Sequence, residues 1–242
     1  MSEFQYKEVD REGWDTLDAI AAADKFNYWM YQTIRPFCQG KILEIGSGIG
    51  NISQFFLEEQ ADITLSDIRS VYCDQLRKKF PAVRGVIELD LVHPSFEKEF
   101  STHLHQYDAV FALNVVEHIQ DDGLAITNAR KLLREKGKLV ILVPAYQHLY
   151  NRFDKELEHF RRYNRKRLNQ LISDHEFSIL HSQYFNFMGI FGWYVSGRLQ
   201  KNKIIPKSQM SLYNKLVPAF KLVDKVLLHR VGLSVISVGL VK

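Results

Sequence analysis

The sequence contains few of the features that mark secreted, membrane-spanning or disulfide-stabilised proteins. Only two of its 242 residues are cysteines, Cys38 and Cys73, which predicts no disulfide framework. The longest apolar run, residues 139–143, is strand-length and far short of the ~18 apolar residues of a membrane span. The opening residues MSEFQYKEVDREGWD are polar and acidic, unlike a secretory signal. Together these absences predict a cytoplasmic protein.

Two common kinds of active-site motif are also missing. No cysteines and histidines occur together at metal-ligand spacing, and the pair Asp121–Asp122 is too common a pattern to indicate a metal site. No serine or cysteine nucleophile motif is present. We therefore predict neither a metal centre nor covalent catalysis.

Charge is unevenly distributed along the chain. The formal net charge is +4, but residues 197–230 contain eight basic residues and one acid, so the remainder of the chain is mildly acidic. This indicates a local anionic partner rather than nucleic-acid binding. In this segment Leu212, Leu216, Phe220 and Val223 form an apolar stripe flanked by lysines. Such a helix either makes peripheral contact with an anionic membrane or packs on its own domain as a lid over an acceptor pocket.

Short apolar runs alternate with segments of helical periodicity. The runs lie at 41–45, 61–67, 84–90, 107–114 and 137–144, and two further β-rich runs follow at 178–185 and 233–242. Alternation of this kind predicts an α/β fold with a parallel sheet and helices on both faces. The runs are nearly continuously apolar, as expected of strands covered on both sides.

The length and the change of pattern after Pro144 predict a single domain with an added cap. A first helix is expected over residues 14–34, ended by Pro36, and another is expected to begin at Asn164 as its N-cap. We assign the core to about 36–145, 167–185 and 233–242. The cap then comprises 1–35, 146–166 and 186–232.

The stretch KILEIGSGIG (41–50) places three glycines directly after an apolar run. Glycine costs about 0.5–1 kcal/mol relative to alanine in regular structure, so Gly46, Gly48 and Gly50 indicate a sharp turn or a close approach to a ligand. Their G-x-G-x-G spacing differs from the G-x-G-x-x-G of dinucleotide binders, which disfavours a nicotinamide-dependent oxidoreductase. Glu44, two residues earlier, favours a cationic ligand. A tight turn that merely packs against a neighbour remains the alternative.

Polar residues also end the next three strands. Asp67 lies 21 residues after Gly46, where an acid can accept hydrogen bonds from ribose hydroxyls. Asp90 ends the third run and Asn114 the fourth. Each alone is equally consistent with a helix cap or an ordinary strand end. Polar groups at the carboxyl ends of four successive strands indicate a ligand site at that edge of the sheet.

As a set, LEIGSGIG, SDI, LDL and ALNVVEHI resemble the motifs of class I S-adenosylmethionine-dependent methyltransferases over residues 14–185. The stretches DKFNYWMYQTI, EIGSGIGNIS and DKELEHFRRYNRKRL look like a bacterial branch associated with polysaccharide, lipid or natural-product assembly. The resemblance implies a Rossmann-like, doubly wound, seven-stranded sheet whose last strands are antiparallel, with helical cap insertions. It implies S-adenosyl-L-methionine as the cofactor.

The resemblance also implies which residues bind that cofactor. They are Glu44, Gly46, Gly48, Gly50, Asp67, Ile68, Asp90, Leu91, Asn114 and Tyr28. Glu44 and the Asn114 carbonyl would hold the ammonium group, Asp67 the ribose, and Ile68, Asp90 and Leu91 the adenine. The aromatic residues Phe26, Tyr28 and Trp29 would cover the sulfonium by cation–π attraction, or form the packed face of a helix.

A hydroxyl acceptor has to lose its proton during methyl transfer, so a base within hydrogen-bond reach would help, and histidine suits neutral pH. Two histidines are candidates for the catalytic base: His118, four residues after Asn114, and His159, in EHFRRY. Either can instead be structural. For the acceptor we predict contacts with Tyr150, Arg162 and Tyr163, because arginine binds phosphate or carboxylate bidentately. Part of this basic cluster is equally consistent with a solvated helix face.

The sequence therefore predicts a methyltransferase that O-methylates a small-molecule or carrier- or lipid-linked hydroxyl, aromatic or sugar, in a biosynthetic pathway. N- or C-methylation of a small metabolite and a non-catalytic S-adenosylmethionine-binding module are the alternatives. The absence of an Asn/Asp-Pro-Pro-aromatic motif argues against nucleic-acid methylation. The sequence indicates no oligomeric state.

Overall fold

The computed structural model describes residues 17–18, 20–195 and 207–242. Its strands are β1 (Ile42–Ile45), β2 (Ile63–Asp67), β3 (Gly85–Glu88), β4 (Tyr107–Leu113), β5 (Leu133–Pro144), β6 (Phe177–Phe185) and β7 (Ser234–Val241). Its α-helices are α1 (Asp24–Ile34), α2 (Ser53–Glu58), α3 (Ser70–Lys79), α4 (Phe96–Glu99), α5 (Asp122–Leu132), α6 (Arg152–Glu156), α7 (Arg165–Ser173), α8 (Gly189–Tyr194) and α9 (Lys207–Val226). Short 3₁₀ turns occupy Arg35–Phe37, Ser101–His103, Val116–His118 and Gln147–Leu149.

The strands form one seven-stranded sheet in the order β3-β2-β1-β4-β5-β7-β6. β1 to β5 are parallel, and β7 runs antiparallel to both β5 and β6. The predicted sheet with antiparallel last strands is confirmed. Strand order reverses between β1 and β4, and in open parallel sheets ligands bind at such a switch point, outside the carboxyl ends of the strands.

Two apolar cores cover the two faces of the sheet. The central strand β1 and most of β4 and β5 are buried, as continuous apolar runs predict. The edge strands differ from that prediction. β3 is only half-buried and β6 carries exposed side chains, because each has a single neighbouring strand. On α1, Trp29, Met30 and Ile34 are buried.

Three boundaries can be compared with the sequence predictions. β5 begins at Leu133 rather than at 137, because Leu133 already pairs with Tyr107 of β4. β3 ends at Glu88, so Asp90 lies in the loop after the strand. α7 does begin after an Asn164 cap, whose side chain accepts a hydrogen bond from the backbone N–H of Arg167. The predicted helix start at Trp14 lies outside the described residues.

The α9 helix buries a different face from the one its apolar stripe predicted. Met210 and Val217 are buried, whereas Leu212 and Leu216 of the predicted stripe are exposed. Of the two alternatives for that stripe, packing on the domain does not apply to these two leucines. In the described part of the chain, no helix is both long enough and apolar enough to cross a bilayer. Basic residues 198–203 of the predicted cap lie outside the described residues.

Candidate active site

A cavity of about 660 Å³ opens at the carboxyl ends of β1, β2 and β4, between the sheet and the cap. Ligand pockets typically have volumes of about 300–1,000 Å³, so this one can hold a cofactor-sized molecule. Most of the ligand-binding and catalytic residues predicted from the sequence line this cavity: Glu44, Gly46, Gly48, Asp67, Ile68, Asp90, Leu91, Asn114, His118, His159 and Arg162. The cavity therefore joins the predicted cofactor site to the predicted reaction site.

Glu44 is a carboxylate buried near the end of β1. The Ser53 hydroxyl donates a hydrogen bond to its Oε2. Burial raises the pKa of Glu44 to about 7, against the lowering effect of hydrogen bonds from Ser53 and Ser47. A buried acid of this kind gains most from a cationic group that enters the cavity and restores its charged form.

The glycines after β1 serve two different purposes. Gly46 and Gly48 have φ values of +70° and +53°, which L side chains rarely adopt, and both line the cavity. The backbone N–H of Gly48 donates to Oδ2 of Asp67 at 2.9 Å. Gly50 also has a positive φ, but a methyl group there would overlap the ring of Phe80 of the α3 end, and Gly50 is not among the residues that line the cavity. Its contribution is to packing.

Asp67 ends β2 and is almost fully buried. Its Oδ2 accepts from Gly48 and its Oδ1 from the backbone N–H of Arg69 at 3.0 Å. Burial raises its pKa, and these backbone hydrogen bonds partly offset the rise. The side chain is thus fixed in orientation beside the glycine turn, with acceptor capacity left for hydroxyl donors.

The loops after β3 and β4 complete this end of the cavity. Oδ1 of Asp90 accepts from the backbone N–H of Val92 at 2.9 Å, and the carbonyl of Leu91 accepts from the Asn128 side chain at 2.8 Å. Asn114 follows β4 with a φ of +55°, a conformation that asparagine tolerates better than most residues. The two hydrogen bonds hold the loop after β3 in place.

The other end of the cavity contains two histidines in contact. The rings of His118 and His159 stand edge to face, with centroids 4.5 Å apart. Burial, and then the proximity of His159, lowers the pKa of His118 to about 3, so His118 is neutral near pH 7. Beside it Glu117 is fully buried, and neither of its carboxylate oxygens has a hydrogen-bond partner. Burial raises the pKa of Glu117 to about 8.

A buried network fixes the orientation of His159. Oδ1 of Asp154 lies 2.8 Å from Nδ1 of His159 and 2.8 Å from Nε of Arg162. Arg162 also donates to the carbonyl of Ala145 at 3.0 Å, and its guanidinium lies 4.4 Å from the ring centroid of Trp193. Arg162 lines the cavity, but its first role is structural pairing with Asp154.

Three other predicted residues are not among those that line the cavity. Tyr28 is 45% exposed and stacks with Tyr31, whereas Phe26, two residues earlier, does line the cavity. The hydroxyl of Tyr150 donates to the backbone carbonyl of His159 at 2.7 Å. The hydroxyl of buried Tyr163 donates to Asp122 at 2.7 Å. The structure places Tyr28, Tyr150 and Tyr163 outside the residues that line the cavity, and their contacts with cofactor or acceptor stay predictions.

Two functional candidates were missed in the sequence. Glu117 is adjacent to His118, but nothing in VVEHI distinguishes a buried acid from an exposed one. Asp154 looks like an ordinary helix residue, and it does close a capping box with Asn151 at the start of α6. The capping-box pattern was the available signal for Asp154, although it indicates a helix start rather than a partner for histidine.

The reaction end also has a geometry that spacing along the chain did not reveal. One ligand atom from each of Glu117, His118 and His159 can be chosen so that all lie within 4.8 Å of one another. Two imidazoles and a carboxylate are ligands that divalent transition metals accept. Spacing along the chain could not show this grouping, because His159 lies 41 residues from His118 in the sequence, and the absence of a metal centre stays a prediction.

The cofactor end fits S-adenosylmethionine in the chemistry of its side chains. A buried carboxyl with a raised pKa, Glu44, suits the ammonium group, and the orientated acid Asp67 suits the ribose hydroxyls. Ile68 and Leu91 line the cavity beside them and offer apolar contact for a base.

Comparisons with known proteins agree with this geometry. Residues 43–139 match the family model described as "Methyltransferase domain". Over 108 residues the chain is 34% identical to the polyketide synthase component of the lovastatin nonaketide synthase from Aspergillus terreus. This alignment covers 42% of this chain and 4% of that protein. Over 100 residues it is 27% identical to the ubiquinone biosynthesis O-methyltransferase of Citrobacter koseri, covering 41% of this chain and 40% of that one. The chain thus spans less than half the length of these curated relatives.

One solved structure is similar to this chain in fold. The Haemonchus contortus phosphoethanolamine N-methyltransferase 2, in complex with S-adenosyl-L-methionine, superposes with a TM-score of 0.60 at 16% identity, covering 100% of this chain and 61% of that one. The family-model match over residues 43–139 and this likeness of fold show that the chain is similar to Rossmann-like S-adenosylmethionine-dependent methyltransferases.

Proposed function

We propose that the protein O-methylates a hydroxyl on a small-molecule or carrier- or lipid-linked acceptor, aromatic or sugar, in a biosynthetic pathway. The observation that carries this proposal is a single cavity with two buried acids, Glu44 and Asp67, at one end and the oriented imidazole of His159 at the other. When bound, S-adenosylmethionine supplies a methyl group on a positively charged sulfur.

The residues at the cofactor end of the cavity bind S-adenosylmethionine. Glu44 holds the ammonium group and Asp67 the ribose hydroxyls, while the Gly46–Gly48 turn lets the backbone come close to the ligand. Because these groups are already ordered by hydrogen bonds, little conformational entropy is lost when the ligand binds. Orientation of the two reactants in one cavity is expected to supply much of the rate enhancement.

His159 is the better of the two candidate bases. Asp154 accepts from Nδ1–H of His159, which leaves Nε2 as the basic nitrogen, as in other carboxylate–histidine pairs. A histidine with a pKa of about 3 is a weak base, so His118 is better suited to contact the acceptor as a neutral ring. In this mechanism Nε2 of His159 accepts the proton of the acceptor hydroxyl as the new bond forms.

The relatives support the acceptor class. One is by name an O-methyltransferase of ubiquinone biosynthesis and another is a polyketide synthase component, so aromatic and carrier-linked acceptors are the first to test. N- or C-methylation, and a module that binds S-adenosylmethionine without catalysis, are alternative outcomes of the same experiments.

The first test is calorimetric titration of the protein with S-adenosylhomocysteine. We expect micromolar binding that Asp67→Ala abolishes. Asp62→Ala is the matched control, because Asp62 precedes the same strand but pairs with exposed Arg84. No binding to folded protein, or equal loss in both variants, would refute the proposed cofactor site.

Catalysis is tested separately with a labelled methyl donor and a panel of phenols, sugars and carrier-linked hydroxyls. His159→Ala is expected to lower the transfer rate by about 10²–10⁴-fold, the usual contribution of a general base, without weakening S-adenosylhomocysteine binding. Chelator treatment should leave the wild-type rate unchanged. A chelator-sensitive rate restored by a divalent cation would instead assign Glu117, His118 and His159 to a metal.

A further inference from the structure

The outer face of α9 is apolar and has no covering element in the described part of the chain. Its exposed apolar side chains recur at four- and six-residue spacing along the helix: Leu212, Leu216, Leu222 and Val226. Leu222 and Val226 are 63% and 72% exposed. Leu228 and Val231, just after the helix, are also exposed. Large apolar side chains clustered in this way mark an interaction surface rather than ordinary solvent exposure.

The charge on this face is of one sign. Lys215, Lys225 and Arg230 are exposed. The one acid between residues 207 and 231, Asp224, is fully buried and accepts hydrogen bonds from the backbone N–H groups of Asn186 and Phe187. It therefore offers no charge to a partner. The outer face of α9 thus combines exposed leucines and valine with positive charges and no accessible acid on the helix.

We propose that the outer face of α9 docks on an anionic membrane surface. Basic amphipathic helices bind such surfaces by burying their apolar side at the headgroup boundary while lysines reach the anionic headgroups. A second copy of this chain fits less well. In a twofold-symmetric contact the face would meet itself, and Lys215, which lies among the exposed leucines, would approach its own copy with no acid on α9 to neutralise it.

The inner side of the same helix lines the cavity. Gln209, Met210 and Tyr213 of α9 line it, and the ring centroid of Tyr213 lies 5.7 Å from that of Phe26. One helix thus separates the proposed membrane surface from the candidate active site. Given the proposed function, docking on this face would bring a membrane-held acceptor next to the cavity. The docking itself does not depend on methyl transfer.

Vesicle sedimentation of the full chain tests the docking. We expect binding to vesicles that contain phosphatidylglycerol, little binding to vesicles of phosphatidylcholine alone, and release at high salt because the headgroup attraction is screened. The double variant Leu222→Glu/Val226→Glu should bind at least about tenfold more weakly, since burial of one leucine is alone worth that much. Leu180→Glu is the matched control, because Leu180 is 51% exposed on the edge strand β6.

The outcomes separate docking from the proposed function. Calorimetry with S-adenosylhomocysteine on the same preparations should show equal affinity in all variants, which also shows that they are folded. Failure of the wild type to bind phosphatidylglycerol vesicles, or equal binding by the double variant, would overturn the docking whatever the calorimetry shows. A dimer that the double variant abolishes, without vesicle binding by the wild type, would assign the face to a second copy and also overturn it.

Discussion

Asp154 and His159 form a buried pair in which Oδ1 of the acid lies 2.8 Å from Nδ1 of the imidazole. The pair is made locally. After α6 the chain turns at Glu158, whose φ is +60°, and the backbone N–H of His159 donates to the carbonyl of Asp154 at 2.8 Å. A turn closed in this way fixes both the position of the ring and its tautomer, which is what a general base requires.

Asp154→Asn should therefore lower methyl transfer more than it lowers cofactor binding. The amide oxygen can still accept a hydrogen bond at the start of α6, but the NH₂ group then faces Nδ1 of His159. Donation to Nδ1 stabilises the tautomer in which Nε2 carries the proton, and a protonated Nε2 cannot accept the proton of the acceptor hydroxyl. We expect the transfer rate to fall by about 10²–10⁴-fold with unchanged S-adenosylhomocysteine affinity. Steady-state kinetics and calorimetry on one preparation measure both.

The control for that prediction is Asp122→Asn. Asp122 also pairs with an arginine, Arg161, and accepts from Tyr163, but it is not among the residues that line the cavity. Its variant should lose stability without a specific loss of rate. Equal rate losses in the two variants would show that Asp154 acts only by holding the fold.

Glu44→Gln should stabilise the ligand-free protein at pH 8. Burial raises the folded-state pKa of Glu44 to about 7, so its protonated form favours the fold at low pH and that contribution is lost as the pH rises through about 7. Glutamine is neutral throughout and keeps an oxygen for the Ser53 hydroxyl. We expect a gain of about 3 kcal/mol at pH 8 that shrinks towards pH 5. Denaturant unfolding at both pH values measures it, with exposed Glu58→Gln as the control.

Glu44 should also make cofactor affinity depend on pH. Affinity should rise with pH, whereas the contribution of Glu44 to the stability of the ligand-free protein falls with pH. An ammonium group binds the ionised form of Glu44, so wild-type affinity for S-adenosylhomocysteine should fall as the pH drops from 8 to 6. The negative charge of Asp67 also raises the pKa of Glu44, but Asp67 is present in both the wild type and Glu44→Gln, so it does not account for a difference between them. In Glu44→Gln the affinity should be lower at pH 8 and nearly independent of pH. A parallel pH dependence in both proteins would remove Glu44 from the ammonium site.

Gly50→Ala should destabilise the protein without affecting the cofactor. Its φ of +79° and the overlap of a methyl group with Phe80 predict a loss of more than about 1 kcal/mol. At Gly85 φ is not positive and a methyl group would make an ordinary 3.5 Å contact with Thr64, so Gly85→Ala is the control. Thermal unfolding and S-adenosylhomocysteine calorimetry test both variants. A specific affinity loss in Gly50→Ala would return Gly50 to the cofactor site.

The cofactor end was predictable from the sequence because it depends on the ends of consecutive strands. Parallel strands bring their carboxyl ends to one edge, so the positions of Glu44, Asp67 and Asn114 followed from the strand assignment alone. The reaction end was predictable only in part. The pairing of Asp154 with His159 depends on a left-handed turn at Glu158, and a non-glycine residue there gives no sequence signal for it.

The buried face of each amphipathic helix was the other feature that the sequence did not predict. Periodicity identified α9 as amphipathic and the pattern over residues 14–34 predicted α1, but the direction in which each helix face points depends on what packs against it. On α9 the buried side is the one that meets α1 and the cavity, where Tyr213 hydrogen bonds the Asn186 side chain. On α1 both Phe26 and Tyr28 were predicted to cover the sulfonium, but the two positions differ by about 200° around the helix and only Phe26 lines the cavity.

Phe26 and Tyr28 therefore give a direct test of the cap's role. Phe26 lines the cavity and contacts Phe185 and Tyr213, whereas Tyr28 packs on Tyr31 and Phe55 at the surface. If the Phe26 ring attracts the sulfonium, Phe26→Leu should weaken S-adenosylmethionine more than uncharged-sulfur S-adenosylhomocysteine, by about 2–30-fold in the ratio of affinities. Tyr28→Leu should leave that ratio unchanged. Calorimetry with both ligands measures it, and equal losses for the two ligands in Phe26→Leu would reduce Phe26 to a packing residue.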